Sequence, residues 1–229
     1  YEIPLRLVGS EMCIRDSTDA GNAFSFTRFI TEGAPCHYTW YAPHDIYGLM
    51  ECMGGKEKYI AKLDSMFSEH RYWHGNEPCH QIAYLFNYAG QPWKTQREVR
   101  HIMETEYLNA PGGLSGNDDA GQMSAWYVFS AMGFYPVCPG TPYYIIGSPS
   151  FPRMSIRLEN GKTFTILAHN ANKKNIYIQS AKLNGKEYDK NYFTHQDIIQ
   201  GGTLEFQMGP NPNTNWGASA LSLPPDNMK

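Results

Sequence analysis

The chain changes its hydrophobic period once, near residue 137, and that switch constrains the fold more than any other feature. Before it, apolar side chains recur at three- and four-residue steps. The clearest run is Lys56 to Phe67, where Tyr59, Ile60, Leu63, Met66 and Phe67 share one helical face. After it come short β-branched or aromatic runs: Thr141–Gly147, Met154–Leu158, Thr163–Ala168, Asn175–Ala181 and Thr203–Met208. Ser148-Pro149, Asn160-Gly161 and Asn184-Gly185 punctuate them. The pattern predicts an α+β chain, with helical hairpins over residues 18–136 and an antiparallel β region over 137–229.

Breakers divide the helical half. His44-Asp45 precede a short helix, Ile46 to Met53, that Gly54-Gly55 ends. Pro78 suits the first turn of a helix running to about Ala89, with Gly90 as its stop. Thr95 and Glu98 read as a capping box for the next helix, with Val99, Ile102, Met103 and Tyr107 on one face. Pro111-Gly112-Gly113 closes that helix, and a further one runs from Met123 to Met132 before Gly133. Residues 1–17 do not match the rest. Their stretch Leu7 to Ser17 resembles a translated adaptor read-through, so this leader is expected to be non-native and is left out of the functional argument.

Hydrophobic residues at 41% and charged residues at 18% describe a folded chain. A formal net charge of −3 argues against nucleic acid or an anionic membrane surface as the main partner. Five cysteines, Cys13, Cys36, Cys52, Cys79 and Cys138, include no CxxC pair, so neither a zinc knuckle nor a dense disulfide framework is indicated. No run of about 18 apolar residues exists to span a membrane. Aromatic residues at 14% tilt slightly toward carbohydrate, since such rings stack on sugars, but they serve equally in cores.

Polar residues worth chemistry cluster in the loops of the helical half: Glu32, His44, Asp45, Asn76, Glu77, His80, Asp118 and Asp119. The last two sit in the glycine-bounded turn Gly116-Asn117-Asp118-Asp119-Ala120-Gly121, directly before an apolar helix. Such a pair is either a helix cap or a general base on a rigid mount. In hairpins that gather alternate loops at one end, carboxylates far apart in sequence face one pocket. Glycoside hydrolysis needs that arrangement, one carboxylic acid for the leaving oxygen and one carboxylate for water. Each residue has a plainer alternative: Glu32 as a solvated loop charge, His44-Asp45 as a helix cap, Asn76-Glu77 as a local turn, His80 as a satisfied buried histidine. Thr194-His195-Gln196-Asp197 reads as a turn or interdomain contact. The Asn, Glu and Asp oxygens suit a hard cation such as calcium, without EF-hand spacing.

Three blocks carry a specific resemblance: His74–His80, Ala83–Gln96 and Gly116–Tyr127. Pro43-His44-Asp45 with Gly54-Gly55, Leu63–Phe67, Thr194-His195, Asp197-Ile198 and Pro212-Asn213 with Trp216-Gly217 extend it. Together, from about residue 24 to 217, they resemble glycoside hydrolase family 92, calcium-dependent inverting exo-α-mannosidases of N-glycan and mannan breakdown.

The resemblance implies an N-terminal β-sandwich and a catalytic (α/α)₆ barrel with associated β structure. This chain would be the C-terminal part, a partial (α/α)₆ barrel then the β region, without the sandwich and early barrel helices, and inactive alone. It implies Glu32 as general acid and Asp119 as base, with Asp118 beside it. It further implies sugar contacts from Trp40, His44, Asp45, Glu77 and His80, and Ca²⁺ held by Asn76 and Glu77. The substrates would be mannose-containing glycans, with α-1,2 linkages favoured, and the location periplasmic, cell-surface or secreted. The acid loop departs from the family pattern, reading Glu-Gly-Ala-Pro-Cys-His where relatives more often have Glu-Gly-Asn-x-x-Gln. The rival is a non-catalytic carbohydrate-binding module, and a third possibility is a degraded pseudo-enzyme piece.

Overall fold

The structure, a computed structural model, describes residues 32–227. The leader, residues 1–17, lies outside the described residues.

Four helices carry most of the first half after a short turn of helix, α1 (Pro35–Tyr38). They are α2 (Ile46–Cys52), α3 (Lys56–Ser68), α4 (Pro92–Thr105) and α5 (Gln122–Met132). The α3 stripe behaves as its spacing predicts, with Tyr59, Leu63 and Met66 buried. Two elements differ from expectation. The segment after Pro78 forms two 3₁₀ pieces, Glu77–Cys79 and Ile82–Asn87, rather than one α-helix. Every side chain from Ile82 to Asn87 is buried there, so packing on all sides has overridden the regular period. Thr95 and Glu98 do not cap α4. Pro92 starts the helix, with Gln91 at the cap position four residues before Thr95, and Thr95 and Glu98 are buried within it.

Two sheets complete the fold. The smaller orders β1 (Phe134–Tyr135), β2 (Tyr143–Ile146) and β7 (Tyr192–Thr194). The larger orders β3 (Arg153–Arg157), β4 (Thr163–His169), β8 (Gly202–Gly209), β5 (Tyr177–Leu183) and β6 (Lys186–Glu187). The α+β class holds, and the larger sheet is mixed. β8 runs antiparallel to β5 but parallel to β4, with Phe164 opposite Gly202. The chain reaches β8 only after passing through β7 and the short α6 (His195–Ile199), and so re-enters beside β4 in the same direction. Thr194 and Asp197 cap α6 reciprocally. No helix of the described residues is long and apolar enough to cross a membrane.

One core gathers Tyr59, Leu63, Tyr84, Phe86, Val99 and Trp126; a second gathers Phe134, Phe164, Ile178, Phe193 and Phe206. Phe129 packs against both. Two fully buried asparagines clasp the halves. Asn87 Nδ2 donates to the carbonyls of Ile146 and Asn191, both at 2.9 Å. Asn191 Nδ2 donates to the carbonyls of Asn87 at 3.0 Å and Gly217 at 2.7 Å. Gln96 of α4 adds a bond from the Ile178 amide to its Oε1 at 3.0 Å.

Asn191→Ala removes two buried hydrogen bonds and leaves the Gly217 carbonyl without its donor, while the Asn87 carbonyl keeps the Gly90 amide, and a loss of about 1–3 kcal/mol in unfolding free energy is expected. Denaturant titration checks this; a loss below about 0.5 kcal/mol would mean the clasp is dispensable.

Candidate active site

The acidic turn forms because its backbone coils through the left-handed region: φ is 33° at Asp119, 59° at Ala120 and 89° at Gly121. Two of these are not glycine, a conformation costing about 1–2 kcal/mol each. The turn ends in α5, whose cap residue, Gly121, has no side chain to offer. Asp118 caps the helix instead, from three residues upstream. Its Oδ1 accepts from the Ser124 amide and its Oδ2 from the Ser124 hydroxyl, both at 2.8 Å. Its own carbonyl accepts from the amides of Gly121 at 3.0 Å and Gln122 at 2.7 Å. The Ser124 amide and hydroxyl hold the Asp118 carboxyl below the usual carboxylate range. No hydrogen bond from a described residue reaches the Asp119 carboxylate. The two readings of this turn therefore fall to different residues, the cap to Asp118 and the free carboxylate to Asp119.

Asp119 faces a cavity of about 310 Å³ that it shares with Tyr41, Glu77, Gln81, Gln122 and Tyr135, closed on one side by Pro136 and Val137. Glu77 opens the first 3₁₀ piece, and its Oε1 is buried with no hydrogen-bond partner. The two carboxylate turns meet through glycine backbone. A Cβ on Gly116 would overlap the Gly75 carbonyl, so only glycine permits this approach.

Beneath the cavity lies a neutral polar network. Tyr107 donates to the Met123 carbonyl at 2.9 Å, so its oxygen accepts from His74 Nε2 at 2.6 Å. His74 Nδ1 is then the acceptor for the Tyr72 hydroxyl at 2.7 Å. His80 Nε2 donates to the His74 carbonyl at 3.1 Å, its Nδ1 accepts from Gln122 Nε2 at 3.3 Å, and its carbonyl accepts from Trp126 Nε1 at 2.8 Å. Burial lowers His74 to about 2, with His80 adding to the effect, and lowers His80 to about 4.

The remaining sequence-predicted residues fall in several places. Glu32 is exposed with φ 62°, and its carbonyl accepts from Asn76 Nδ2, which also donates to the Tyr38 hydroxyl at 3.2 Å. Asn76 thus ties the Glu32 backbone to the Glu77 turn. Asp45 caps α2, its Oδ1 accepting from the Gly48 amide at 2.8 Å, and His44 is exposed beside it. Trp40 is buried, edge-on to Tyr59 at 5.4 Å. Of the predicted set, Glu77 and Asp119 line the cavity, while His80 supports it from below. Tyr41, Gln81, Gln122 and Tyr135 were not picked out from the sequence. Being uncharged, they carry no chemical signal there; only Gln122 had a positional one, as the first helical residue after the turn. Among the described residues no group of three or more His, Cys, Asp or Glu gathers to hold a metal. The oxygen donors nearest to that role are Asn76 and Glu77.

The cavity is thus lined by two carboxylates, Asp119 without a protein partner and Glu77, a pairing suited to acid–base chemistry, whereas Glu32 is not among its lining residues. The sequence model of the Glycosyl hydrolase family 92 catalytic domain matches residues 15–210, and the chain belongs to that family. A family 92 α-mannosidase from Bacteroides thetaiotaomicron superposes with a TM-score of 0.82 at 46% identity, over 86% of this chain and 27% of its own. A family 92 inverting mannosidase from the same organism gives 0.82 at 43%, over 87% of this chain and 30% of its own. An uncharacterized secreted glycosidase of Arthroderma benhamiae is 36% identical over 189 residues, 81% of this chain and 24% of that protein. The chain therefore spans about a quarter of the relatives' length.

The histidine network sets an acid sensitivity. Both rings stay neutral in the folded state, whereas the unfolded chain protonates them near 6.5. Below that pH the unfolded state binds more protons, so stability is complete above about 6.5 and falls as pH drops. Between pH 6 and 5 the pair is expected to cost roughly 2 kcal/mol per pH unit. Denaturation midpoints across that window test it; flat midpoints would show the rings are not held neutral.

Proposed function

We propose that the protein containing this chain hydrolyses terminal α-mannosides with inversion at the anomeric carbon, acting on mannose-rich glycans outside the cytoplasm. The observation that carries the reading is the division of the acidic turn, which leaves Asp119 free in the cavity while Asp118 is bound to Ser124. The family membership supports the reaction class, and a relative solved with mannoimidazole supports the sugar. The description of one relative as secreted supports the location.

In this mechanism Glu32, as a carboxylic acid, gives its proton to the glycosidic oxygen as the bond from that oxygen to the anomeric carbon breaks. Asp119 takes a proton from a water whose oxygen bonds the same carbon from the opposite face. The products are β-mannose and the leaving alcohol. Inversion requires the two carboxyl groups to stand about 6.5–9.5 Å apart, with the water between them.

The donor chemistry at Asn76 and Glu77 fits a calcium ion. The buried, unpartnered Glu77 Oε1 is an oxygen that a hard cation satisfies. Asn76 and Glu77 would hold it, with sugar hydroxyls and water completing a coordination of about six to eight oxygens. Calcium would supply a template that orients sugar hydroxyls and holds the ring distorted.

Asp119→Asn is expected to lower kcat on an aryl α-mannoside about 10²- to 10⁴-fold with little change in melting temperature. Asp118→Asn should instead lower the melting temperature and keep most of the activity. Equal kcat losses in the two variants would overturn the assignment of the base. Chelation should remove activity and calcium restore it, and among mannobioses the α-1,2-linked one should be cleaved fastest. Full turnover in excess chelator would remove the metal from the scheme.

A further inference from the structure

Gln122 is used neither by the helix cap nor by the acid–base pair, yet it joins the buried network to the cavity. The His80 ring decides which way its amide faces. His80 Nε2 must carry the proton, because its partner at 3.1 Å is the His74 carbonyl. Nδ1 is then a lone pair, which only the NH₂ end of Gln122 can meet, at 3.3 Å. The same NH₂ donates to the Tyr135 hydroxyl oxygen at 2.9 Å.

With both donors of the amide engaged, its Oε1 remains as an acceptor with no described partner. It is not among the sealed, orphaned atoms that include Glu77 Oε1, so it is accessible, and Gln122 is a lining residue of the cavity. The cavity is thus lined by two carboxylates and one fixed amide, and among the described residues no Lys, Arg or His lines it. A ligand there must bring hydrogen-bond donors and no negative charge.

We propose that Gln122 contacts substrate directly, its Oε1 accepting a hydrogen bond from one ring hydroxyl of the glycoside and so selecting the configuration at that carbon. This rests on the glycoside-binding reading of the cavity. The His80 and Tyr135 bonds hold the acceptor in place before substrate arrives, which is what makes a single hydrogen bond discriminating.

The test uses the full-length protein with Gln122→Met and Gln122→Glu, assayed on an aryl α-mannoside and its monodeoxy analogues. Gln122→Met should lower kcat/KM about ten- to a hundredfold on the parent glycoside. One deoxy analogue should lose that factor on the wild type and lose nothing further on the variant. Gln122→Glu, which keeps an acceptor but no donor for His80, should still discriminate against that analogue even with a lowered melting temperature. A loss in Gln122→Met that is uniform across the deoxy series would mean packing alone and would overturn the proposal. If the wild type hydrolyses no α-mannoside, the hydrolase reading fails, and calorimetry with methyl α-mannopyranoside decides Gln122. Binding weakened about tenfold in Gln122→Met sustains the contact; unchanged binding, or none by the wild type, overturns it.

Discussion

The His74 residue holds the two carboxylate-bearing turns in one place. Its ring bridges Tyr72 and Tyr107, and Tyr107 bonds the Met123 carbonyl at the start of the helix behind Asp119. Its backbone carbonyl receives the His80 ring, whose other nitrogen receives Gln122. Trp126 stacks parallel to Tyr107 at 6.0 Å, stands edge-on to His74 at 4.4 Å and bonds the His80 carbonyl. Every donor in this chain meets a named acceptor, so burying it costs little, and each ring fixes the tautomer of the next. Low polarity keeps both histidines neutral, which keeps the bond directions from reversing.

On that base, the site separates structural from chemical work. A turn with three consecutive left-handed residues needs an anchor, and Asp118 provides it through Ser124. The strain presents Asp119 to the cavity without a protein partner to hold its charge. Glu77 is in a similar state, with one oxygen sealed and unpaired. Buried unsatisfied acceptors are rare in folded chains, and the one on Glu77, beside the exposed Asp119 carboxylate, marks a place where a ligand supplies the missing donor or a cation. The Asn87–Asn191 clasp performs the corresponding service at larger scale, joining the 3₁₀ segment to the sheets by bonds that water cannot replace.

Much of this was legible beforehand. The change of period near residue 137 marks where helices give way to strands, and the α3 stripe and the α5 limits follow from spacing and glycines. The capping box at Thr95 and Glu98 was misleading, because Pro92 makes a better helix start and the pattern says nothing of burial. The 3₁₀ segment was equally hidden, since a run buried on every side has no amphipathic period to read. Gln122 was invisible for a different reason: an amide has no charge, and its worth comes from the histidine that orients it.

By itself the sequence determined the α+β class, the family and the two loops that bear the carboxylates, because periodicity and motif blocks are local properties of the chain. The residues alone left Asp118 and Asp119 undivided, since adjacent identical side chains carry the same chemistry, and only the family resemblance favoured Asp119 as base. Only the tertiary structure shows which of the two carboxylates is bound as a helix cap. Three left-handed residues turn one carboxylate back onto Ser124 and the other out to the cavity, a choice made by backbone direction rather than by composition.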